Sequence, residues 1–335
     1  MGSQRVLCGS ISVRRTGVFE EASLPLLAAL ATCAFLLLLT GCRGVAPAAN
    51  LPPAPITPKD SVSFSNHVIL IVMENQKYAA IIGNSHAPYL NSLSNQYGVA
   101  SQFFADTHPS IGNYFMLTTG QVVTNDLDFA GSTDVNNLAR VMGQVGMPWR
   151  AYLESVPRVG YTGDGPYPYA KTHNPFAYFS DIHVYPTQAQ NMVPFTQFAT
   201  DLANDTLPPF SYIAPDQTHN MHDCPGGGRL CDNNTKVAGG DAWLQQQLEP
   251  IINSPGFTSH NTLIVITWDE SWDNDSQHGG GQVPVIVVGP KVKSGFVSTQ
   301  FYQHESVLAL ISKYLGLPNT LGNAATASPM DEFLH

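Results

Sequence analysis

The chain has 335 residues, of which 43% are hydrophobic, so it contains enough apolar material for a large core. Its 25 Asp and Glu residues outnumber 15 Lys and Arg residues, which gives a formal net charge of −10 without a basic stripe. This balance argues against a nucleic-acid partner, and it would oppose an anionic substrate unless bound cations compensate.

The N-terminus has the pattern of an export signal. An apolar run at 24–39 follows Arg14 and Arg15 and ends in LTGC, with Cys42 last. A small-residue site directly before a cysteine resembles a bacterial lipobox, which predicts that Cys42 carries a lipid and that residues 1–42 hold the signal. Plain secretion or a single membrane anchor remains open, because sixteen apolar residues are slightly short for a span. We therefore expect an exported cell-envelope lipoprotein or a secreted protein, with membrane contact through the lipid anchor if Cys42 is processed.

The rest of the chain divides into a linker and one domain. Residues 43–60 are rich in Pro and Ala and predict an extended tether, and we expect 61–335 to form a single domain. Beyond the signal the chain contains two cysteines, Cys224 and Cys231. In an oxidising compartment they predict a disulfide that closes a short Gly-rich loop. A zinc site is the weaker alternative, because no second cysteine pair accompanies them.

Apolar runs rich in β-branched residues predict strands that are buried on both faces, at 67–73, 210–215, 262–268 and 284–289. Helical spacing predicts three helices, at 87–98 ending at Gly98, at 241–254 capped by Asp241, and at 304–316. Strands that alternate with helices indicate an α/β sandwich with a mostly parallel sheet. Residues 121–200 give no clear elements, and we expect a long excursion beside the active face.

Acidic or amide side chains directly follow three of the predicted strands. They are Glu74 and Asn75, then Asp216, then Asp269 and Glu270. Because the carboxyl ends of strands in an open α/β sheet form the ligand crevice, we expect these three positions to converge. One such Asp alone is more often a helix cap or a turn residue, so the repetition is the informative feature. Crowded carboxylates repel each other and favour a divalent cation.

Ser110 lies in the stretch THPSIGNYFMLTTG, at 107–120, where it is either a turn residue or a nucleophile at a helix start. Beside a cation its hydroxyl could ionise and attack phosphorus, and a helix N-terminus suits a phosphoryl group. Histidines at 219, 222 and 278 could complete a second metal site or protonate a leaving oxygen. A purely structural role stays equally open for His222 and His304.

Several motifs, taken together and in this order, resemble a known family: VMENQKY, HAPYLNSL, THPSIGNYFMLTTG, KTHNP, APDQTHNMHD, GGDAWL, TWDES and HGGGQVPVIVVGP. They are similar to the phosphoesterase family of bacterial and fungal acid phosphatases and phosphatidylcholine-cleaving phospholipases C, a branch of the alkaline phosphatase superfamily. The resemblance spans about residues 65–318 and is strongest to the short secreted acid phosphatases. It implies a three-layer α/β/α sandwich of the alkaline phosphatase type.

The resemblance also implies roles for individual residues. The implied metal ligands are Glu74, Asn75, Ser110, Asp269 and Glu270. The spacing of Ser110, Asn113, Thr119 and Gly120 matches related nucleotide pyrophosphatases, which implies Ser110 as nucleophile and Asn113 as a donor to phosphate oxygen. A second metal position at Asp216 and His278 stays open, because Asn220 stands where two-metal relatives have histidine. The remaining roles are a general acid at His219 or His222 and phosphate neutralisation by Lys171 and His173.

We therefore expect a metal-dependent acid phosphatase that acts on small phosphorylated substrates through a phosphoserine. One divalent ion is expected and a second stays open, with Mg, Ca, Zn and Fe all compatible with the ligands. A phosphodiesterase or phospholipase C acting on phospholipid head groups is the main alternative, and a phosphoinositide is a candidate substrate. A sulfatase is disfavoured because Gly112 and Tyr114 replace the required proline and arginine. A non-catalytic surface-tethered binding lipoprotein is the alternative of another class.

Overall fold

The computed structural model describes residues 64–228, 230–318 and 320–335. The predicted signal at 1–42, its lipidation site Cys42 and the linker at 43–60 lie outside the described residues and stay predictions, as does the single domain at 61–335. Within the described ranges, no helix combines the length and the apolar character that crossing a membrane requires.

The described residues build one eight-stranded sheet. Its strands are β1 (Val68–Met73), β2 (Gly98–Ala100), β3 (Trp149–Leu153), β4 (Met192–Pro194), β5 (Phe210–Ala214), β6 (Leu263–Trp268), β7 (Val285–Val288) and β8 (Phe296–Ser298). Their order is β4-β3-β5-β1-β6-β7-β2-β8, and β7 alone runs antiparallel to its neighbours in this sheet. The central strands β1, β5 and β6 are buried along their whole length, as their mostly apolar sequences predict.

Helices cover the sheet and complete the sandwich. They are α1 (Tyr78–Ile81), α2 (Pro88–Gln96), α3 (Ile111–Thr119), α4 (Leu138–Gln144), α5 (Ser180–Val184), α6 (Pro186–Ala189), α7 (Thr196–Ala203), α8 (Asn233–Ile252), α9 (Pro255–Ser259) and α10 (His304–Leu315). Helix α3 packs against α10, and α2 packs against α8. All nine residues of α3 are buried, so this helix belongs to the core. The predicted α/β/α architecture with a mostly parallel sheet is confirmed.

The helix predicted at 241–254 begins earlier than expected. It starts at Asn233, and the carboxylate of Asp232 accepts a hydrogen bond of 2.8 Å from the Thr235 amide. The prediction that Asp241 caps this helix is therefore wrong. Asp241 is buried within α8, and its two carboxylate oxygens accept the Tyr89 and Leu90 amides at 3.0 and 2.8 Å. It caps the neighbouring helix α2 instead, and so ties the two helices together.

Two further expectations need correction. The helix predicted at 87–98 ends at Gln96, and Gly98 opens β2, where a Cβ atom would lie 2.6 Å from the Phe333 ring. The segment 121–200 is more than an excursion, because it supplies β3 and β4 at one side of the sheet. These strands escaped detection because β3 carries a half-buried arginine and β4 has three residues.

Candidate active site

The candidate site lies at the carboxyl ends of β1 and β6. These neighbouring parallel strands pair Met73 with Trp268, so the residues that follow them, Glu74 and Asp269, emerge side by side. The Asp269 amide continues the ladder by donating to the Met73 carbonyl at 3.0 Å. Glu74 and Asp269 are 1% and 0% exposed, which places two carboxylates inside the protein at one sheet edge.

Asn75 links the two strand ends. Its backbone N–H donates to Asp269 Oδ1 at 3.0 Å, and its side-chain Nδ2 donates to Glu270 Oε1 at 2.9 Å. The residue has φ of 46°, in the left-handed region that Asn tolerates better than most residues. This conformation turns the chain after β1 so that both donors of Asn75 point at the acids of β6.

Ser110 immediately precedes α3, and its side chain makes no capping hydrogen bond to the helix. Its hydroxyl instead donates to Glu270 Oε1 at 3.0 Å and lies 3.4 Å from Glu74 Oε2. Ser110 is 8% exposed, so its oxygen is held in a sheltered position. The structure thus brings Ser110 together with Glu74, Asn75 and Glu270, as the sequence predicts.

Two buried rings hold Glu74. The Tyr114 hydroxyl donates to Glu74 Oε1 at 2.9 Å, and His173 Nε2 lies 2.9 Å from the same oxygen. The two rings stack with centroids 5.1 Å apart. Burial lowers the pKa of His173 to about 4, so this imidazole is neutral at pH values well above 4. His173, which was predicted to neutralise phosphate, is therefore committed to Glu74 as a neutral hydrogen-bond partner.

The cluster concentrates negative charge that its neighbours do not cancel. Burial raises the pKa of Asp269 well above its usual range, and the charges of Glu74 and Glu270 raise it further. Burial likewise raises the pKa of Glu74 to about 7. Asp269 Oδ2 is buried and has no hydrogen-bond donor within the described part of the chain. An unpartnered carboxylate oxygen among carboxylates and a hydroxyl is the donor set that a divalent cation takes, so these residues fit a metal.

The loop before Ser110 is fixed from two sides. Asn113 Oδ1 accepts the Asp106 and Thr107 amides at 3.0 and 3.2 Å, and its Nδ2 donates to the Thr107 carbonyl at 2.8 Å. A Cβ at Gly279 would lie 1.9 Å from the Asp106 carbonyl oxygen, which explains a glycine there. Asn113 is fully buried and positions the loop of the serine. Its predicted role as a donor to phosphate oxygen stays a prediction.

His108, two residues before Ser110, braces the acid on the other strand. Its Nδ1 lies 2.7 Å from Glu270 Oε2, and its Nε2 lies 2.9 Å from the Asp275 carbonyl oxygen. The second carboxylate oxygen of Glu270 thereby faces Ser110. His108, Glu270 and Asp273 also place ligand atoms within 4.8 Å of one another.

Of the three predicted acidic positions, the two at 74–75 and 269–270 converge on Ser110. The third, Asp216, belongs to a second group of side chains. Its carboxylate accepts hydrogen bonds from Ser155 at 2.6 Å and from the Thr218 hydroxyl at 2.7 Å. Ligand atoms of Asp216, Glu154 and His219 lie within 4.8 Å of one another. The hydrogen bond with Glu154, 3.0 Å long, raises the pKa of His219.

His222 faces a cavity of about 340 Å³ that Asn75 also lines. Its Nδ1 lies 2.9 Å from Asp223 Oδ1, which leaves Nε2 as the outer nitrogen. Burial raises the pKa of Glu74, and the nearby His222 lowers it by a smaller amount, so the two side chains interact electrostatically. Of the two histidines predicted as general acid, His222 is thus the one that shares a cavity with a residue of the Ser110 cluster.

Two predicted site residues lie elsewhere. The His278 ring is exposed and packs between Phe104 and Phe301, at centroid distances of 4.5 and 4.8 Å. Its predicted role as a metal ligand stays a prediction. The Lys171 ammonium sits 4.1 Å from the Tyr178 ring centre, and burial lowers the pKa of this lysine.

The predicted disulfide between Cys224 and Cys231 is confirmed. It closes the loop that follows His222 and leads into α8. Sequence reasoning missed two other contributors. Tyr114 follows Ser110 by four residues, so helical spacing alone would have put both on one face of α3. Glu154 directly follows β3 and obeys the same rule as Glu74 and Asp269, but its strand was not recognised.

Known families and proteins resemble this chain over most of its length. The Phosphoesterase family model matches residues 84–318, a range that includes Ser110, Asp269 and Glu270. A phosphatidylinositol-3-phosphatase of Mycobacterium tuberculosis is 33% identical over 79% of this chain and 82% of its own length. A phosphate-repressible acid phosphatase of Penicillium chrysogenum is 29% identical over 81% of this chain and 64% of its own. The chain thus spans less than two thirds of that fungal relative.

Solved structures show the same fold at low sequence identity. A lipoteichoic acid synthase from Listeria monocytogenes aligns with a TM-score of 0.57 and 12% identity, over 79% of this chain and 76% of that one. A protein of the alkaline phosphatase superfamily from Vibrio parahaemolyticus aligns with a TM-score of 0.53 and 14% identity, over 79% and 68%. These matches establish the architecture alone.

Proposed function

The chain belongs to the phosphoesterase family and is a hydrolase of phosphoric esters, and from this premise we propose that it is a metal-dependent phosphomonoesterase of the acid phosphatase type. Ser110 is the nucleophile in this proposal, and the reaction passes through a phosphoserine. The observation that carries it is the position of the Ser110 hydroxyl, 3.0 Å from Glu270 and 3.4 Å from Glu74 at the crevice edge of the sheet.

In the first half of the reaction, Ser110 Oγ forms a bond to phosphorus while the bond from phosphorus to the alcohol oxygen breaks. The serine proton can leave along the existing hydrogen bond to Glu270. In the second half, water attacks the phosphoserine, phosphate departs and the serine hydroxyl is restored. The position of Ser110 before α3 also directs the positive end of a helix at the incoming phosphoryl group.

The leaving alcohol needs a proton, and His222 is the better placed donor. Asp223 Oδ1 lies 2.9 Å from its Nδ1, and the ring lines the cavity that begins at Asn75. His219 is held by Glu154 in the second group of side chains. A donor that must be protonated favours activity below neutral pH, which agrees with an acid phosphatase.

Glu74, Asp269, Glu270 and Ser110 would hold the divalent cation, with Asn75 orienting two of these acids. When bound, the cation would neutralise the crowded carboxylates, favour ionisation of the serine hydroxyl and polarise a phosphate oxygen. Tyr114 and His173 fix Glu74 for this purpose, and His108 fixes Glu270.

The proposal is tested with purified protein that has been stripped with EDTA and reloaded separately with Mg, Ca, Zn or Fe. Each form is assayed with a monoester, a diester, a sulfate ester and a phosphoinositide. We expect turnover of the monoester to require metal and to fall by about a thousandfold or more in Ser110→Ala. Full activity after metal removal would refute metal dependence. A preference for the diester would establish the phosphodiesterase alternative, and a Ser110→Ala enzyme with the full rate would refute the serine mechanism.

A further inference from the structure

His304 is a fully buried histidine that the reaction described above does not use. It is the first residue of α10 and it is 0% exposed. Leaving a buried polar atom without a hydrogen-bond partner costs free energy, so buried ring nitrogens are almost always paired. The partners of this ring therefore show which parts of the chain it holds together.

The two partners of His304 lie in the two parts of the chain that supply the candidate site. Nδ1 lies 3.0 Å from Asp106 Oδ2, and the backbone N–H of His304 donates to the same oxygen at 3.3 Å. Nε2 lies 2.9 Å from the Trp268 carbonyl oxygen. Asp106 begins the serine loop, residues 106–110, which ends at Ser110. Trp268 is the last residue of β6 and directly precedes Asp269.

The two contacts require a proton on each ring nitrogen of His304. A carbonyl oxygen and an ionised carboxylate can only accept, so Nε2 donates to Trp268 and Nδ1 donates to Asp106. Burial lowers the pKa of His304, but its two partners and the charge of Asp269 outweigh burial and raise it. Burial, with Asp106 adding to the effect, raises the pKa of the adjoining Glu305 to about 7, so Glu305 is neutral at acidic pH. His304 and Asp106 then form a buried pair of one cation and one anion.

Two histidines connect the serine loop with β6 and the residues that follow it. The side chain of His108 is 23% exposed and contacts Glu270. The side chain of His304 is fully buried and contacts the backbone at Trp268. Strand β6 pairs with β1 on one side and β7 on the other, so its backbone has little freedom to move. The contact of His304 therefore fixes the serine loop relative to the centre of the sheet.

We propose that His304 is a positioning residue, which holds Ser110 at its working distance from the acids after β6 by donating one hydrogen bond to the serine loop and one to the end of that strand. This inference rests on the proposed function, in which Ser110 is the nucleophile. Without the link the loop and the strand can shift relative to each other. A displacement of about 1 Å in a catalytic group can cost about a hundredfold in rate.

The test compares the steady-state kinetics of metal-loaded wild type, His304→Gln, Asp106→Asn and the double variant, with p-nitrophenyl phosphate as substrate. We expect each single substitution to lower kcat by about tenfold to a hundredfold per folded molecule, with KM within about threefold of wild type. The folded fraction is taken from a urea unfolding curve. Because both substitutions break the same link, the double variant should lose no more than about threefold beyond the weaker single variant.

Tyr302→Phe is the matched control. Tyr302 lies two residues before His304, is buried, and donates to Glu332 at 2.8 Å. The substitution removes a hydrogen bond near the start of α10 without touching the link between the serine loop and β6. It should therefore keep the wild-type kcat per folded molecule, even where it lowers stability.

The wild-type protein gives a second readout, which is informative even where a variant fails to fold. In protein labelled with ¹⁵N-histidine at about pH 7.5, an ordinary histidine is mostly neutral and carries one ring N–H. We expect His304 to show two ring N–H protons that exchange slowly with water. The pKa values of His108 and His219 are also raised, but their side chains are 23% and 37% exposed, so their ring protons exchange faster.

The outcomes separate the positioning role from the proposed function. A wild type without monoester turnover would refute the proposed function, and this inference with it. An active wild type whose variants lose activity only as far as their folded fraction falls would overturn the positioning role alone. The same holds for single-variant losses that multiply in the double variant, and for a wild type in which no slowly exchanging histidine ring carries two N–H protons.

Discussion

Replacing Glu74 by Gln should make the metal-free protein more stable at alkaline pH while abolishing its activity. Burial raises the pKa of Glu74 from 4.5 to about 7, with Glu270 adding to the effect and His222 opposing it. At about 1.4 kcal/mol per pH unit, this difference lowers the free energy of unfolding by about 3 kcal/mol once Glu74 is ionised in both the folded and the unfolded protein. Gln keeps an oxygen that can accept from Tyr114 and His173, so the substitution removes mainly the charge.

The pH dependence has a definite sign. Below pH 4.5 the carboxyl is neutral in the folded and the unfolded protein, and it costs nothing. Between 4.5 and 7 the unfolded chain releases its proton while the folded protein keeps it, so the free energy of unfolding falls as pH rises. Above 7 the loss is complete. The gain from Glu74→Gln should therefore be small near pH 4.5 and reach up to about 3 kcal/mol at pH 8.

The assay is urea unfolding in EDTA at pH 5 and pH 8 for wild type, Glu74→Gln and the control Glu249→Gln, whose carboxylate is exposed on α8. We expect the control to follow wild type. Adding the activating cation should stabilise wild type by about 2.7 kcal/mol at a hundred times its Kd, and Glu74→Gln by much less. The reasoning fails if the variant is the less stable protein at pH 8 without metal, or if its stability keeps the wild-type pH dependence.

Three further predictions address the supports of the site and of the fold. Tyr114→Phe removes the hydroxyl donor to Glu74 and should weaken binding of the activating cation about tenfold in a calorimetric titration, and unchanged affinity would contradict its supporting role. Asp241→Ala leaves the Tyr89 and Leu90 amides without their acceptor and should cost about 1–2 kcal/mol in urea unfolding, whereas a loss below about 0.3 kcal/mol would argue against the cap. Replacing both Cys224 and Cys231 by Ser removes the disulfide and should lower the free energy of unfolding by about 2.5 kcal/mol. A double variant as stable as wild type would contradict the loop-closure argument.

The central sheet was predictable because its middle strands are buried on both faces. Apart from Ser211 and Thr267, the residues of β1, β5 and β6 are apolar, which is typical of strands covered on both faces. The edge region was not predictable in the same way. The apolar run of β3 is interrupted by Arg150, and β4 is too short to show a period, so the pairing of β3 with β5 and of β4 with β3 decides their structure.

Part of the candidate site followed from topology alone. Glu74 and Asp269 follow paired strands, so their proximity was implied once both strands were recognised. Glu154 also directly follows a strand, but the sequence did not reveal that strand and so did not mark Glu154 as a site residue. The position of the His278 ring depends on its tertiary contacts with Phe104 and Phe301, which no local pattern encodes.

Helix boundaries also depend on tertiary contacts that the sequence does not reveal. Asp241 has the sequence features of a cap, and it does cap a helix, but that helix is α2 and not its own. A side chain that satisfies the amides of a neighbouring helix is a tertiary contact, and sequence spacing does not reveal the partner.

The most direct measurement is to quench the metal-loaded enzyme with acid during turnover of a ³²P-labelled monoester and to map the labelled peptide. We expect one acid-stable phosphoryl group on Ser110, absent from Ser110→Ala. Label on another residue, or turnover without any protein-bound phosphate under single-turnover conditions, would contradict the assignment of Ser110 as the nucleophile.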